Sequence, residues 1–271
     1  MTYQLTLLVA ILVSFSPSWG QTTIQERADW KTYYDRAGVR GCFVLYDLRA
    51  DRLQVYNPSR TDSAFLPAST FKIFNSLVAL ETGAVKDEND TIRWDGVHRW
   101  VANWNADQNM RSAIRYSTVW FYQELARRIG EKRMREYITL SHYGNEDISG
   151  GIDVFWLDGG LRISAREQIT FLRKLYDNDL PFSLRTMETV KEIMVLEETG
   201  EYIFRGKTGW AARPEREIGW FVGYLERGED VYFFANNIDI SDVAEEADVR
   251  ARIGITREIL QSLGLMEKPA E

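Results

Sequence analysis

The spacing of apolar residues changes along the chain and divides it into blocks. Thr23–Ala37 carries apolar residues at wide, helix-like intervals and reads as an amphipathic helix. Gly41–Leu48 and Leu53–Tyr56 are rich in β-branched and aromatic residues and flank the turn Arg49-Ala50-Asp51-Arg52, so they read as paired strands. The middle of the chain shifts to a helical period. Thr70–Thr82 is an apolar helix, with Pro67 near its start and Gly83 just past its end. Val119–Ile129 places Phe121, Leu125 and Ile129 on one stripe before Gly130 closes it. Ser164-Ala165-Arg166-Glu167 is a capping box, followed by the stripe Ile169, Leu172 and Tyr176.

Strand spacing then returns in Tyr202–Lys207, Ile218–Glu226 and Val231–Ile238, the last two joined by the hairpin Arg227-Gly228-Glu229-Asp230. Val249–Leu263 is a final helix with Val249, Ile253, Leu260 and Leu263 on one face. The order predicts an α+β (mixed α/β) fold. Both ends of the chain share a central antiparallel sheet flanked by the terminal helices, and an inserted helical lobe lies beside it. One domain is expected over residues 21–271, with a sheet lobe at about 21–64 and 195–271 and a helical lobe at about 65–194. A cleft between the lobes is the natural place for a site. No repeat or low-complexity tract interrupts this pattern.

Composition narrows the function. A formal net charge of -7 disfavours nucleic acid and anionic membranes as partners. A single cysteine, Cys42, excludes an intramolecular disulfide and a multi-cysteine metal site; its apolar neighbours predict a buried thiol. Two histidines, His98 and His142, are too few and too far apart for a His-rich zinc site, so no metal is expected. The G-x-S-x-G elbow of a Ser-His-Asp hydrolase is also missing. Residues 1–20 read as a signal peptide. A short apolar run, Leu5 to Val13, precedes small residues around Ser18-Trp19-Gly20, although no Lys or Arg precedes the run. The run falls short of the ~20 residues of a transmembrane helix. Export to a periplasm is therefore expected, with no membrane attachment after signal removal.

Three short motifs carry chemistry. In Ser69-Thr70-Phe71-Lys72, residues three apart on a helix face the same way, so Lys72 can reach the Ser69 hydroxyl. A serine needs such a base to become a nucleophile. Apolar flanks would push the lysine toward its neutral form. By itself S-x-x-K is worth little, since about one chance copy is expected in a chain of this length. Ser117-Thr118-Val119 sets a hydroxyl at a helix junction, where it can relay a proton or simply cap the helix. Lys207-Thr208-Gly209-Trp210 ends a predicted strand. Lys207 and Thr208 suit a substrate carboxylate, and Gly209 admits close approach or marks a plain turn. The N–H groups of Ser69 and Trp210 can together form an oxyanion hole.

These motifs, in this order and with Tyr143-Gly144-Asn145 between them, resemble the penicillin-recognising serine enzymes, and the combination is far more specific than any part. Phe155-Trp156-Leu157-Asp158-Gly159-Gly160 and Ile218-Gly219-Trp220 extend the resemblance to the class D (oxacillinase-type) serine β-lactamases over nearly the whole chain after the signal. The resemblance implies β-lactam hydrolysis through Ser69, with Lys72 carbamylated to N6-carboxylysine as base. CO2 or bicarbonate is then needed, but no other cofactor. It also implies catalytic roles for Ser117 and Trp156. Val119, Tyr143, Asn145, Leu157, Lys207, Thr208, Gly209 and Arg252 become substrate-binding or site-shaping residues. Arg252, in Arg252-Ile253-Gly254-Ile255-Thr256, matches the family's carboxylate-binding arginine, whose fork fits a carboxylate as lysine does not.

Two other readings stay open at this stage: a D,D-peptidase merely acylated by penicillin, and a non-catalytic β-lactam sensor. Val119 speaks against the first, because such peptidases usually carry Asn at that position. The segment 211–217, with Arg213 poised to pair with Asp158, resembles the carbapenem-hydrolysing branch. The expected partner is a small β-lactam, bound by a monomer or homodimer.

Overall fold

A computed structural model describes residues 22–211, 217–240 and 246–267, with side chains described from residue 250 in the last segment. The predicted signal peptide lies outside the described residues. Strand β1 (Thr23–Glu26) opens the chain, followed by helix α1 (Lys31–Arg36), β2 (Gly41–Asp47) and β3 (Arg52–Tyr56). The helical block holds α2 (Pro58–Thr61), α3 (Lys72–Glu81), α4 (Met110–Arg115), α5 (Val119–Ile129), α6 (Glu131–Ser141), α7 (Ala165–Tyr176) and α8 (Leu184–Ile193), with a minor strand pair β4 (Ala64–Phe65) and β5 (Ile163–Ser164). The chain returns to the sheet as β6 (Val195–Glu198), β7 (Ile203–Ala211), β8 (Glu217–Arg227) and β9 (Asp230–Ile240), and α9 (Glu246–Ser262) follows.

The seven main strands lie in the order β1-β3-β2-β9-β8-β7-β6, so first and last parts of the chain meet where β2 pairs with β9. The fold is α+β, as predicted. All pairs are antiparallel except β1 with β3. One face of the sheet packs on the terminal helices through Trp30, Tyr34, Phe204, Phe234, Ile255 and Ile259. The other packs on the helical block through Val44, Val222, Ala235, Phe71 and Leu172. Cys42 is fully buried on that second side, and burial pushes its thiol up to about 12.

Three elements differ from the expectation, each for a tertiary reason. The first half of the predicted helix Thr23–Ala37 is instead the edge strand β1. Its hydrogen bonds go to β3, and Ile24 is 61% exposed, so no apolar helical face runs back through it. The K-T-G segment does not end its strand: β7 runs on through Ala211, in unbroken register with β8. On α9 the buried stripe is Arg252, Ile255, Thr256, Ile259 and Leu260, while Ile253 and Leu263 lie at its flank. The Val249 side chain lies outside the described residues.

Candidate active site

Ser69 stands on a single tight turn, Ala68–Phe71, that leads into α3. The turn is fastened on several sides. Ala68 adopts a left-handed backbone, φ 47°, and its N–H donates to the Trp156 carbonyl, 3.0 Å away. Thr70 donates through both N–H and hydroxyl to the Pro67 carbonyl. Gln168, on α7, donates to the Thr70 hydroxyl at 2.9 Å, and Trp220, on β8, donates to the Leu66 carbonyl at 2.9 Å. A non-glycine residue at positive φ costs of order 1–3 kcal/mol and persists only where its surroundings over-determine it. That strain falls one residue before Ser69.

Lys72, the first residue of α3, is fully buried, and its Nζ donates to Ser69 Oγ at 2.6 Å. The amine has no carboxylate partner among the described residues. Burial, reinforced by the charge of Lys207, holds it well below the ordinary lysine range. Trp156 is also fully buried and stacks on Phe71, the neighbour of Lys72. Its indole Nε1–H finds no acceptor among the described residues. A buried donor left unpaired costs about 1–3 kcal/mol.

Ser117 lies between α4 and α5 with a left-handed backbone, φ 55°. It does not cap α5: Thr118 occupies that position, without a side-chain capping bond. Its hydroxyl makes no hydrogen bond among the described residues. Val119, half-buried, begins α5. Leu157 is half-buried and packs against the core beside Trp156.

The facing wall is β7. Gly206 N–H donates to the Met194 carbonyl at the start of β6. Backbone N–H groups alternate sides along a strand, and no bulge interrupts β7. The N–H groups of Thr208 and Trp210 therefore point the same way, across an edge that β6 no longer covers. The Ser69 turn sits against this edge: a Cβ on Gly209 would lie 2.9 Å from the Pro67 carbonyl oxygen. Lys207 is nearly buried, and its Nζ donates to the Thr208 carbonyl at 3.0 Å. Burial, with the Arg252 charge, brings it down to about 7.

Arg252 brings its charge near Lys207 from α9. Its stem passes Gly219 of β8, the partner of Trp210, where an added Cβ would stand 3.3 Å from Arg252 Cδ and closer still to the Ile238 and Ile240 side chains. Asn236 and Thr256 both donate to the Arg252 carbonyl. Its Nε and Nη1 are buried without hydrogen-bond partners among the described residues, and burial lowers it to about 10, still charged at neutral pH.

The structure thus brings Ser69, Lys72, Trp156, Lys207, Thr208, Gly209, Trp210 and Arg252 around one cleft, with Ser117 at the nearby helix junction. Two of the assigned residues stand behind the cleft and shape it from there. Tyr143 is 1% exposed and packs its ring on Phe71, Phe74 and Phe171, so it supports the Ser69 turn from the core. Asn145 spends both ends of its amide on backbone, donating to Gly160 and accepting from Arg162, which fixes the loop carrying Trp156. Gln168, Asn236 and Gly219 were missed as supports. A polar residue beside the apolar stripe of α7, and a glycine inside a strand, were the available signals. Arg213 lies outside the described residues.

A serine held against a buried amine, facing a bare strand edge and a desolvated cationic pocket, defines an active-serine enzyme of the penicillin-recognising class. Residues 31–261 match the penicillin binding protein transpeptidase domain. The chain belongs to the class D β-lactamases and is a hydrolase acting on β-lactams. It is 48% identical over 237 residues to beta-lactamase OXA-48 of Klebsiella pneumoniae, covering 88% of each chain. It is 45% identical over 226 residues to the probable beta-lactamase YbxI of Bacillus subtilis, covering 83% of this chain and 82% of that one. Among solved structures, the class D beta-lactamase YbXI from Nostoc is 48% identical with a TM-score of 0.85, covering 88% of this chain and 99% of that one. FUS-1 (OXA-85) from Fusobacterium nucleatum is 41% identical with a TM-score of 0.86, covering 90% and 100%.

Proposed function

We propose that the chain opens the β-lactam amide of penicillins and related drugs through a Ser69 acyl-enzyme, with Lys72 carbamylated as base in both half-reactions, and so confers resistance to these drugs. The observation that carries this reading is the buried Lys72 amine, 2.6 Å from Ser69 Oγ and without a carboxylate partner among the described residues. Only a neutral amine can add to CO2, forming an N–C bond and releasing one proton, and burial keeps this amine neutral. The unpaired Trp156 Nε1–H is a donor without acceptor capacity, suited to the anionic oxygen such a group would bring. When present, the carbamate supplies an anionic base for the seryl proton and later for the hydrolytic water.

The remaining steps fall to the chain's own groups. Ser69 Oγ attacks the lactam carbonyl carbon, and the C–N bond breaks as the acyl-enzyme forms. The Ser69 and Trp210 N–H groups receive the developing oxyanion, an interaction commonly worth about 2.7–4 kcal/mol per donor. Ser117 passes a proton to the departing ring nitrogen. Lys207, Thr208 and Arg252 hold the drug carboxylate, and Gly209 lets it approach the strand. Val119 and Leu157 keep water from the lysine.

Stripping bicarbonate at acid pH should abolish penicillin turnover, and adding it back should restore turnover. Lys72→Ala should be inactive under both conditions, while Ser69→Ala should acquire no penicilloyl mass. Turnover indifferent to bicarbonate would remove the carbamate; an adduct on Ser69→Ala would remove the nucleophile. Export rests on residues 1–20. Among the described residues, no helix is long and apolar enough to cross a membrane. Cell fractionation comparing the full chain with a variant lacking residues 1–20 tests export directly.

A further inference from the structure

We propose that a groove running along the edge of β7, away from Ser69, is a second ligand site for a small organic anion with an aromatic or branched apolar body. The groove encloses about 720 Å³, within the range of drug-sized pockets, and it opens between α4, α8, β6 and α9. Its rim shares Lys207 and Thr208 with the reaction cleft, but neither Ser69 nor Ser117 lines it.

The chemistry of the lining selects the ligand. The floor is apolar, with half-buried Ile253 from α9 and with Leu196, which is 52% exposed on the edge strand β6, while the Phe204 ring lies fully buried beneath. Four cationic side chains, Arg111, Arg115, Lys207 and Arg257, line the walls against one carboxylate, Glu192. This is a cationic pocket on a chain whose net charge is -7. Two of the arginines are already engaged. Arg257 bonds Glu197 and lies over the Phe204 ring, and Arg111 pairs with Glu88. Arg115 makes no ion pair among the described residues and is exposed at the mouth. An apolar body on the floor would put its charged end at Arg115. Arg257 over Phe204 supplies a flat cationic wall for an aromatic ring. The site stands apart from the Lys72 chemistry. Because Lys207 and Thr208 form its rim, an occupant should be felt by the substrate carboxylate.

The probe is 8-anilino-1-naphthalenesulfonate, an aromatic sulfonate, titrated into the full chain and followed by fluorescence. Binding should saturate at one equivalent. Arg115→Glu and Leu196→Asp should each weaken it at least ~5-fold, about 1 kcal/mol, and Arg115→Lys should retain it. Both loss variants should turn over penicillin at wild-type rates without the sulfonate. In wild type the sulfonate should raise KM and spare kcat, and Arg115→Glu should relieve that effect. Three outcomes would overturn the proposal: non-saturating fluorescence; binding untouched by Arg115→Glu and Leu196→Asp but lost on filling the reaction cleft with a slow penicillin; or a concentration-dependent sedimentation shift abolished by Leu196→Asp without sulfonate binding, which would give the groove to a second copy of the chain.

Discussion

Lys207 is the side chain whose charge is set most delicately. Its amine, brought down to about 7 by burial and by Arg252, is protonated below that pH and largely neutral above it. The free enzyme therefore loses a carboxylate-binding charge as pH rises. The pH profile of kcat/KM for a penicillin should fall through about 7, and Lys207→Arg should move that break upward, because a guanidinium stays charged. An unchanged break would assign it to another group. Trp156 makes a second residue-scale test. Trp156→Phe keeps a flat ring against Phe71 and removes only the donor. Turnover should drop about tenfold or more at ambient CO2 and recover as bicarbonate is raised, in line with a lost charge-assisted hydrogen bond of roughly 1.5–3 kcal/mol. Loss that bicarbonate does not rescue would make Trp156 a packing residue alone.

At the level of elements, the site is a contact between one tight turn and one strand edge. Gly209 permits that contact. A methyl group there would meet the Pro67 carbonyl oxygen at 2.9 Å and Thr70 Cγ2 at 3.1 Å. The Pro67 oxygen cannot yield, since Thr70 holds it twice. Gly209→Ala should push the turn off β7 and separate the Ser69 and Trp210 amides. We expect kcat to fall about 10²-fold with the fold retained, as for a lost oxyanion donor; wild-type kcat would mean the two amides do not cooperate. The elements were unevenly legible in the sequence. Helix α7 was plain from its capping box, which forms as expected between Ser164 and Glu167. Helix α5 begins at Val119 and ends at Ile129, as its stripe predicts. Those signals act within one or two helical turns. Strand β1 was not legible, because its pairing with β3 lies 29 residues away at Thr23 and Arg52 and leaves no local period. The continuation of β7 through Gly209 was hidden too, since glycine more often ends a strand than crosses it.

Across the whole molecule, the desolvated lysines exchange stability for function. Lys72 and Lys207 are both held below the 10.5 of an unfolded lysine. Between the folded and unfolded values the unfolded chain binds more protons, so folding stability rises with pH. The Lys207 penalty is full below about 7 and vanishes above 10.5. Thermal melts should therefore rise from pH 7 toward pH 10 after bicarbonate is stripped, and Lys207→Met should flatten the slope and raise the melting temperature at pH 7. A slope unchanged in Lys207→Met would place the linkage elsewhere. The sequence by itself determined strands β2, β3 and β7 to β9, helices α3, α5, α7 and α9, the S-x-x-K, S-x-V and K-T-G motifs, the reach of Lys72 to Ser69 and, from the motifs taken together, the resemblance to the family. The elements rest on local periodicity, and the reach of Lys72 on two residues three apart. Tertiary structure alone decided that Tyr143 lies in the core, that Arg252 passes Gly219 to bring its charge near Lys207, that Ala68 and Ser117 sit in left-handed backbone, and that the Trp210 amide faces an uncovered edge. Those facts depend on which distant segments exclude water together, and no local pattern encodes that.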